Sequence, residues 1–370
     1  MTTIDPNIFE NDSPIAIANN WLNQKKTVTG SITLRWYRDE FYEFEDGHYQ
    51  HKKKDQIKGG LYEYLSNKSY ITTARREIKP YNVTKAKICR ILNACKDLCR
   101  VDVAAPVWLG KNENDLNPCM LLAFRNGILD IDKYVTGEIV LYPPTPDFFT
   151  VNALPYDFDP TAESGLWNNY LKDVFRGNQK KIQLLSEWMG YNCVPNISHS
   201  NLMLFVGPTA SGKTTVANTM AAMLGPNTVP FSLNDVRAFD FLASGVLSAA
   251  GTVCFPITLK RAKSNLQKML HIVKGDAIDV HPKYRPALLS VKFPCHFTIM
   301  TRSPSVFGGY EQEIMNRANI LTFPNSYAGR ENRMLKGQLK AEAEAGGLIN
   351  FALCGLKSLC QNKKFTAPGY

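Results

Sequence analysis

Eight consecutive residues have the types and spacing for nucleotide chemistry. Gly207-Pro-Thr-Ala-Ser-Gly-Lys-Thr214 follows the GxxxxGK[ST] pattern of a phosphate-binding loop. Its glycines let the backbone curl so that N–H groups face phosphate oxygens, and a following helix N-terminus adds partial positive charge. Lys213 would reach the β- and γ-phosphates, and the Thr214 hydroxyl would bind Mg²⁺. The pattern therefore predicts ATP and Mg²⁺ binding, and the alternative is a glycine-rich turn with a chance lysine.

The flanking sequence has the frame that such a loop needs. The apolar run Asn201–Val206 predicts a buried strand before the loop, and Thr215–Leu224 predicts a helix after it. We expect Thr214 to be the metal ligand and Lys213 to be catalytic. The predicted nucleotide-binding residues are Gly207, Pro208, Thr209, Ala210, Ser211, Gly212, Lys213, Thr214 and Thr215.

A carboxylate is missing where this chemistry normally uses one. From Phe241 to Gly275 the sequence has no Asp or Glu, although a metal-binding acid is normally placed in this region. Loss of one such group slows a reaction by about 10²–10³. We expect either weak or absent hydrolysis with nucleotide binding retained, or an active enzyme with relocated groups. The candidate replacements are Asp276, Asp279 or an acid of a neighbouring subunit, with Asp235 and Asp240 as weaker candidates.

Composition sets the broad class. A chain of 370 residues predicts two or three domains, and a net charge of +10 favours a polyanionic partner such as nucleic acid over a merely basic soluble protein. Nine cysteines without a CxxC pair indicate reduced thiols of a cytosolic protein. The sequence has neither an 18-residue apolar run nor a signal peptide, so we expect a cytoplasmic protein without membrane contact.

Several motifs together resemble one family, the superfamily 3 helicases, in the branch of phage, plasmid and poxvirus primase–helicases. The order and spacing of these motifs carry the resemblance over about residues 30–365. They are the phosphate loop, Phe124–Asp130, Phe148–Pro160, Leu185–Gly190, Gly275-Asp276, Lys283–Arg285, Asn316-Arg317 and Gly347–Leu356.

The resemblance implies an α/β fold with an AAA+-like P-loop core, which assembles as a ring on DNA. Along the chain we expect an N-terminal α+β domain over 1–150, a helical collar or linker over 151–199, the P-loop domain over 200–325 and a C-terminal helical segment over 326–370. ATP would bind between subunits of a homo-oligomer, taken as a hexamer. Arg317 matches the arginine finger that reaches the γ-phosphate of the adjacent subunit, and the alternative is an intramolecular salt bridge.

Two positions depart from the family pattern. The second core strand, predicted over Gly251–Thr258, has Thr258 where the family places its acid. The third core strand, predicted over Phe293–Thr301, is followed by Arg302 in place of a sensor asparagine. Arg302 is a candidate γ-phosphate contact, but an arginine cannot orient water as an asparagine amide does.

A basic hairpin is the predicted nucleic-acid contact. Ala277–Pro286 lies in a stretch with eight basic residues and only two acids, and in the family a hairpin at this place touches the DNA backbone in the channel. Packing of the hairpin against itself or the next subunit is the alternative. The candidate DNA-binding residues are His281, Lys283, Tyr284 and Arg285.

These observations favour a ring-forming DNA helicase for replication of a phage or mobile element, in a bacterial host cytoplasm. The alternative is an ATP-dependent DNA-binding clamp, or a recruiter of replication partners, with little turnover. A kinase or other small P-loop enzyme fits less well, because it would not use Arg317 or the long N-terminal region.

Overall fold

The structure of the protein is a computed structural model. It describes residues 7–72, 75–110, 116–195, 199–253, 257, 260–283, 286–330 and 332–368. These residues form two compact units. The first unit contains the described residues up to 110 together with Thr145–Val151, and the second contains those of 116–144 and those from Asn152 onward.

Short strands and helices alternate along most of the chain. Up to residue 149 they are β1 (Ile8–Phe9), α1 (Pro14–Asn23), β2 (Leu34–Tyr37), β3 (Glu40–Glu45), β4 (His48–Lys52), α2 (Lys54–Leu65), β5 (Ser69–Ile71), β6 (Ile78–Pro80), α3 (Lys85–Leu98), β7 (Val107–Trp108), β8 (Leu121–Phe124), β9 (Gly127–Asp130), α4 (Ile131–Thr136), β10 (Leu141–Tyr142) and β11 (Phe148–Phe149). Beyond it they are α5 (Gly165–Val174), α6 (Gln179–Tyr191), β12 (Leu202–Val206), α7 (Lys213–Leu224), β13 (Thr228–Pro230), β14 (Ser248–Val253), α8 (Lys260–Lys274), β15 (Ile278–Val280), β16 (Leu288–Val291), β17 (His296–Thr301), α9 (Glu311–Met315), β18 (Ala318–Thr322), α10 (Arg333–Glu344) and α11 (Ile349–Asn362).

A three-stranded antiparallel sheet, β2-β3-β4, forms part of the first unit. Its first hairpin turns at Arg38 and Asp39, which both adopt positive φ (47° and 66°), as a tight turn between twisted strands requires. The alternating pattern puts Trp36 and Phe41 into an apolar core with residues of α1 and α3.

The second unit contains a five-stranded parallel sheet in the order β13-β14-β17-β12-β18. The chain thus has the mixed α/β character expected from the sequence. The predicted second core strand was placed too late, because β14 begins at Ser248, where Ser248-Ala249-Ala250 already pair with β13 and β17. Thr258 lies outside the described residues.

The third core strand begins later than predicted, at His296 instead of Phe293. Pro294 has no backbone donor, and Cys295 N turns back to Phe293 O at 2.9 Å, so neither residue joins the sheet. Helix α10, the first of the C-terminal helices, begins at Arg333. Asn332 Oδ1 accepts from the backbone N–H groups of the first turn and caps the helix there.

Helices α6 and α11 pack backbone against backbone in the core of the second unit. A Cβ on Gly190 would lie 2.2 Å from Ala352 O, and one on Gly355 would lie 2.1 Å from the Ser186 carbonyl carbon. Both glycines fall within motifs that the sequence singled out. Only a residue without a side chain fits at either position.

The antiparallel hairpin β8–β9 contributes to the same core. Its side chains Leu122, Phe124 and Leu129 are buried in one cluster with Trp188 of α6 and Leu353 of α11. This packing explains why residues 116–144 belong to the second unit. The predicted domain limits at 150, 199 and 325 stay predictions.

Candidate nucleotide-binding site

The phosphate-loop sequence forms a tight turn between β12 and α7. Gly212 caps α7 with φ +95°, and Ala210 also adopts a positive φ of 54°. A Cβ on Gly207 would lie 2.5 Å from Phe323 O, so the loop needs glycine there to pass the segment after β18. The loop therefore starts at the carboxyl end of a central parallel strand and ends at a helix N-terminus, which is a favourable place for an anion.

Lys213 is folded onto its own loop. Its Nζ donates to Gly207 O at 2.7 Å, to Pro208 O at 2.6 Å and to Ser211 Oγ at 3.0 Å. These acceptors hold the ammonium against the loop. A bound triphosphate would replace neutral acceptors by anionic ones, which make stronger hydrogen bonds.

A cavity of about 380 Å³ opens beside the loop. One side is lined by the loop and the start of α7, from Ala210 to Thr215. The other side was not found by sequence reasoning. It consists of Tyr170, Asp173, Tyr327, Arg330, Asn332, Leu335 and Lys336.

Two tyrosine hydroxyls on this second side make hydrogen bonds, one to the loop and one within the side itself. The Tyr170 hydroxyl of α5 donates to Gly212 O at 3.3 Å, and burial raises the pKa of Tyr170 to about 12. The Tyr327 hydroxyl donates to Asp173 Oδ2 at 2.7 Å, and burial first and this bond second raise the pKa of Tyr327. Both hydroxyls are therefore neutral donors at physiological pH.

The segment after β18 carries Tyr327 across the loop. Phe323 N donates to Val206 O at 2.8 Å, Ser326 Oγ to Thr209 O at 3.0 Å, and Tyr327 N to Ala210 O at 2.8 Å. Pro208 and Thr209 remain exposed at the outer rim. The phosphate loop is thus supported by backbone contacts from a segment more than 100 residues later in the chain.

The expected metal ligand, Thr214, is exposed at the first turn of α7, where its hydroxyl is accessible to a nucleotide-bound cation. One hydroxyl suits Mg²⁺ that is carried mainly by phosphate oxygens and water. Within the described ranges, no group of three or more His, Cys, Asp and Glu side chains could hold a metal ion. Binding of Mg²⁺ together with ATP stays a prediction.

Arg302 lies beside the phosphate loop. It is exposed directly after β17, whose last residue Thr301 accepts a hydrogen bond from Gly207 N at 3.3 Å. The fold thus brings Arg302 to the carboxyl edge of the sheet, where the phosphate loop also lies. Its contact with phosphate stays a prediction.

Arg317 lies at the opposite edge. It directly precedes β18, and its backbone carbonyl accepts from Leu202 N at 3.0 Å, at the start of β12. The loop follows the other end of β12, four residue steps or about 13 Å away along the strand. Arg317 Nε is buried without a hydrogen-bond partner among the described residues. An intramolecular contact between Arg317 and the phosphate loop of the same chain does not fit this placement.

The predicted basic hairpin is present as β15 and β16, joined antiparallel. His281 and Lys283 are exposed between the two strands, and Tyr284 and Arg285 lie outside the described residues. The hairpin leads into the first residue of β17, at the amino edge of the sheet. It therefore lies at the sheet edge that also carries Arg317.

The proposed replacement acids are engaged elsewhere. Asp276 Oδ2 lies 2.8 Å from His271 Nδ1, and Asp279 Oδ1 accepts from Ser290 N at 2.7 Å. Both precede β17 and so belong to the edge away from the phosphate loop. Within one chain, neither is placed to serve a cation at Thr214.

Comparison with known proteins supports part of the expected resemblance. The family model described as "D5 N terminal like" matches residues 23–176, a range that ends before the phosphate loop. The match covers less than half of the chain, so it is a likeness of this range alone. No curated protein matches the chain in sequence.

Solved structures show a similar fold at very low sequence identity. The A-form apo structure of the NrS-1 C-terminal region is 11% identical, with a TM-score of 0.52, and the match covers 93% of this chain and 71% of that chain. Another apo structure of that region is 10% identical, with a TM-score of 0.51 and the same coverage. Among the residues that the structure describes, no helix has both the length and the apolar composition to cross a bilayer.

Proposed function

We propose that this chain is an ATP-binding, ring-forming DNA helicase or helicase-like protein for replication of a phage or mobile element. The observation that carries the proposal is the placement of the phosphate loop and Arg317 at opposite ends of β12. A head-to-tail ring would bring the arginine edge of one subunit to the loop edge of the next. ATP with Mg²⁺ would then bind between subunits.

The parallel sheet supports an AAA+-like P-loop core. The strand that leads into the loop, β12, is the first strand of the sheet along the chain, and it is flanked by the last two, β17 and β18. Strands β14 and β13 follow on the far side of β17. The net charge of +10 and the exposed hairpin residues support DNA as the partner. The match to the "D5 N terminal like" model supports a role in phage or viral replication.

A clamp with little hydrolysis is the second candidate. The sequence from Phe241 to Gly275 contains no acid, and Asp276 and Asp279 are engaged at the other sheet edge. Such a protein would use ATP to join subunits or to recruit replication partners. An acid from the neighbouring subunit would restore hydrolysis and favour the helicase.

Replacing Lys213 by alanine tests the nucleotide site. We expect ATP binding to weaken at least about tenfold, because the side chain makes a charge-assisted contact with phosphate. The measurements are equilibrium ATP titration and steady-state ATPase, with and without single-stranded DNA. Lys180→Ala, an exposed lysine of α6, is the control and should bind ATP normally.

The same assay separates the two candidates. Wild-type turnover of about one per second or faster, abolished in Lys213→Ala, would exclude the clamp. ATP-dependent assembly without turnover would exclude the active helicase. Wild-type protein that neither binds ATP nor assembles would contradict both.

Removal of the two hairpin cations tests the DNA contact. We expect Lys283→Ala with Arg285→Ala to weaken single-stranded DNA binding for all sequences and to flatten its salt dependence, because two phosphate contacts are lost. The measurement is the DNA affinity at several salt concentrations. Lys340→Ala with Lys364→Ala, two exposed lysines elsewhere in the same unit, is the charge-matched control. An unchanged salt slope in the hairpin variant would remove the hairpin from the DNA interface.

A further inference from the structure

The cavity has a carboxylate on the side that faces away from the expected metal position. Asp173 of α5 lines the cavity together with Tyr170 and Thr215. Its neighbours belong to the segment after β18, since Asp173 accepts from Tyr327 and its backbone carbonyl accepts from Asn325 Nδ2 at 3.3 Å. In the sheet, β18 and β17 lie on opposite sides of β12. Asp173 therefore does not occupy the β14–β17 side, where the absent metal-binding acid would be.

The position of Asp173 along a bound nucleotide follows from its contacts. Tyr170 precedes Asp173 by one helical turn. The Tyr170 hydroxyl contacts the carbonyl oxygen of Gly212, which is the N-cap residue of α7. Phosphates bound by the loop and by Thr214 would end near this point, so the next group along the ligand is the sugar. A carboxylate is a pure acceptor, and the two vicinal hydroxyls of a ribose are donors of matching spacing.

The carboxylate is held ready for such a contact. Tyr327 donates to Oδ2 at 2.7 Å, which orients the Asp173 side chain. Among the described residues no other side chain donates to this carboxylate, so Oδ1 and the second lone pair of Oδ2 can accept from a ligand. Tyr327 is itself fixed by the bond from its backbone N to Ala210 O at 2.8 Å. The orientation of Asp173 is thus tied to the phosphate loop.

We propose that Asp173, oriented by Tyr327, accepts hydrogen bonds from the ribose hydroxyls of the nucleotide and makes the site select ribonucleotides over 2′-deoxyribonucleotides. The proposal rests on the proposed function, because it takes the loop as a nucleotide site. Arg330 and Lys336 lie on the α10 side of the same cavity, and Asp173 is the one acidic side chain among the described residues that line it.

The test is equilibrium titration of wild type and variants with ATP and with 2′-deoxy-ATP in the presence of Mg²⁺. We expect wild type to bind ATP about tenfold more tightly than 2′-deoxy-ATP, since one charge-assisted hydrogen bond is lost with the hydroxyl. Asp173→Asn should bring the ratio of the affinities for ATP and 2′-deoxy-ATP close to one, chiefly because ATP binds more weakly. Tyr327→Phe should lower the ratio to an intermediate value, and Glu163→Gln, an exposed acid of the same unit, should leave it unchanged.

The outcomes distinguish the proposal from the function on which it rests. If wild type binds ATP and 2′-deoxy-ATP equally well, or if Asp173→Asn leaves the ratio of the two affinities unchanged, the ribose contact is overturned. The nucleotide site itself would still stand if ATP binding depends on Lys213. If Asp173→Asn weakens the binding of both nucleotides equally and alters the Mg²⁺ requirement, the ribose contact is also overturned. Asp173 would then be assigned to the metal. Absence of binding of either nucleotide to wild type overturns the ribose contact and the nucleotide site together.

Discussion

Arg317→Ala is expected to lower DNA-stimulated ATP turnover by about 10³-fold or more, because an arginine finger contributes 10³–10⁵ to phosphoryl transfer. ATP affinity should fall much less, since the phosphate loop of each subunit stays intact. The structural reason is the separation of the two groups: Arg317 adjoins the start of β12, and the loop follows its end. Arg317 can therefore act on a bound nucleotide only when the phosphate loop that holds the nucleotide belongs to another subunit.

Mixing two inactive variants tests that requirement directly. Equal amounts of Arg317→Ala and Lys213→Ala should regain about a quarter of wild-type turnover, because a quarter of the interfaces in a random head-to-tail ring pair an intact loop with an intact arginine. Arg317→Lys should stay nearly inactive, since lysine lacks the planar fork. Arg237→Ala, an exposed arginine of the same unit, should retain activity. Failure of the mixture to recover any turnover would contradict the intersubunit site.

Gly355→Ala is expected to destabilise the second unit by about 3 kcal/mol or more, above the usual range for an added methyl group in a core. The added Cβ would meet the backbone of α6 at Ser186, 2.1 Å away, and a backbone cannot move aside as a flexible side chain can. Gly190→Ala should behave alike, because its Cβ would meet Ala352 O of α11 at 2.2 Å. The measurement is the free energy of unfolding from urea titration.

Gly337 provides the matched control for these substitutions. It lies within α10, and a Cβ there would have no neighbour within 4 Å among the described residues. Gly337→Ala should raise the free energy of unfolding by about 1 kcal/mol, because alanine favours the helix interior over glycine. If Gly355→Ala and Gly337→Ala shifted stability in the same direction, the close contact of α6 with α11 would be disproved.

The sequence could predict the loop side of the site because that signal is local. Eight consecutive residues set the turn, and the apolar runs on either side mark β12 and α7, which begin and end within two residues of the predicted limits. The hairpin β15–β16 is equally local, with its strands about ten residues apart. In such segments, neighbours in the chain are also neighbours in space.

The second side of the cavity, which includes Asp173 and Tyr327, could not be predicted in this way. Asp173 lies 34 residues before the loop, Tyr327 more than 100 after it, and no spacing rule links them. They meet because β18 pairs beside β12 and because the following segment bonds to the loop backbone. Likewise, Gly190 and Gly355 have no partner in the local sequence, and only the packing of α6 on α11 explains them.

The route of the chain between the two units determines which fragments can fold. The polypeptide enters the second unit before β8, leaves it at Pro144, and re-enters it at Asn152. A fragment that starts at residue 152 would keep the phosphate loop but lose Leu122, Phe124 and Leu129 from its core. Limited proteolysis between residues 144 and 152 should therefore leave two pieces that stay associated, and a separately expressed nucleotide domain has to begin upstream of Leu121.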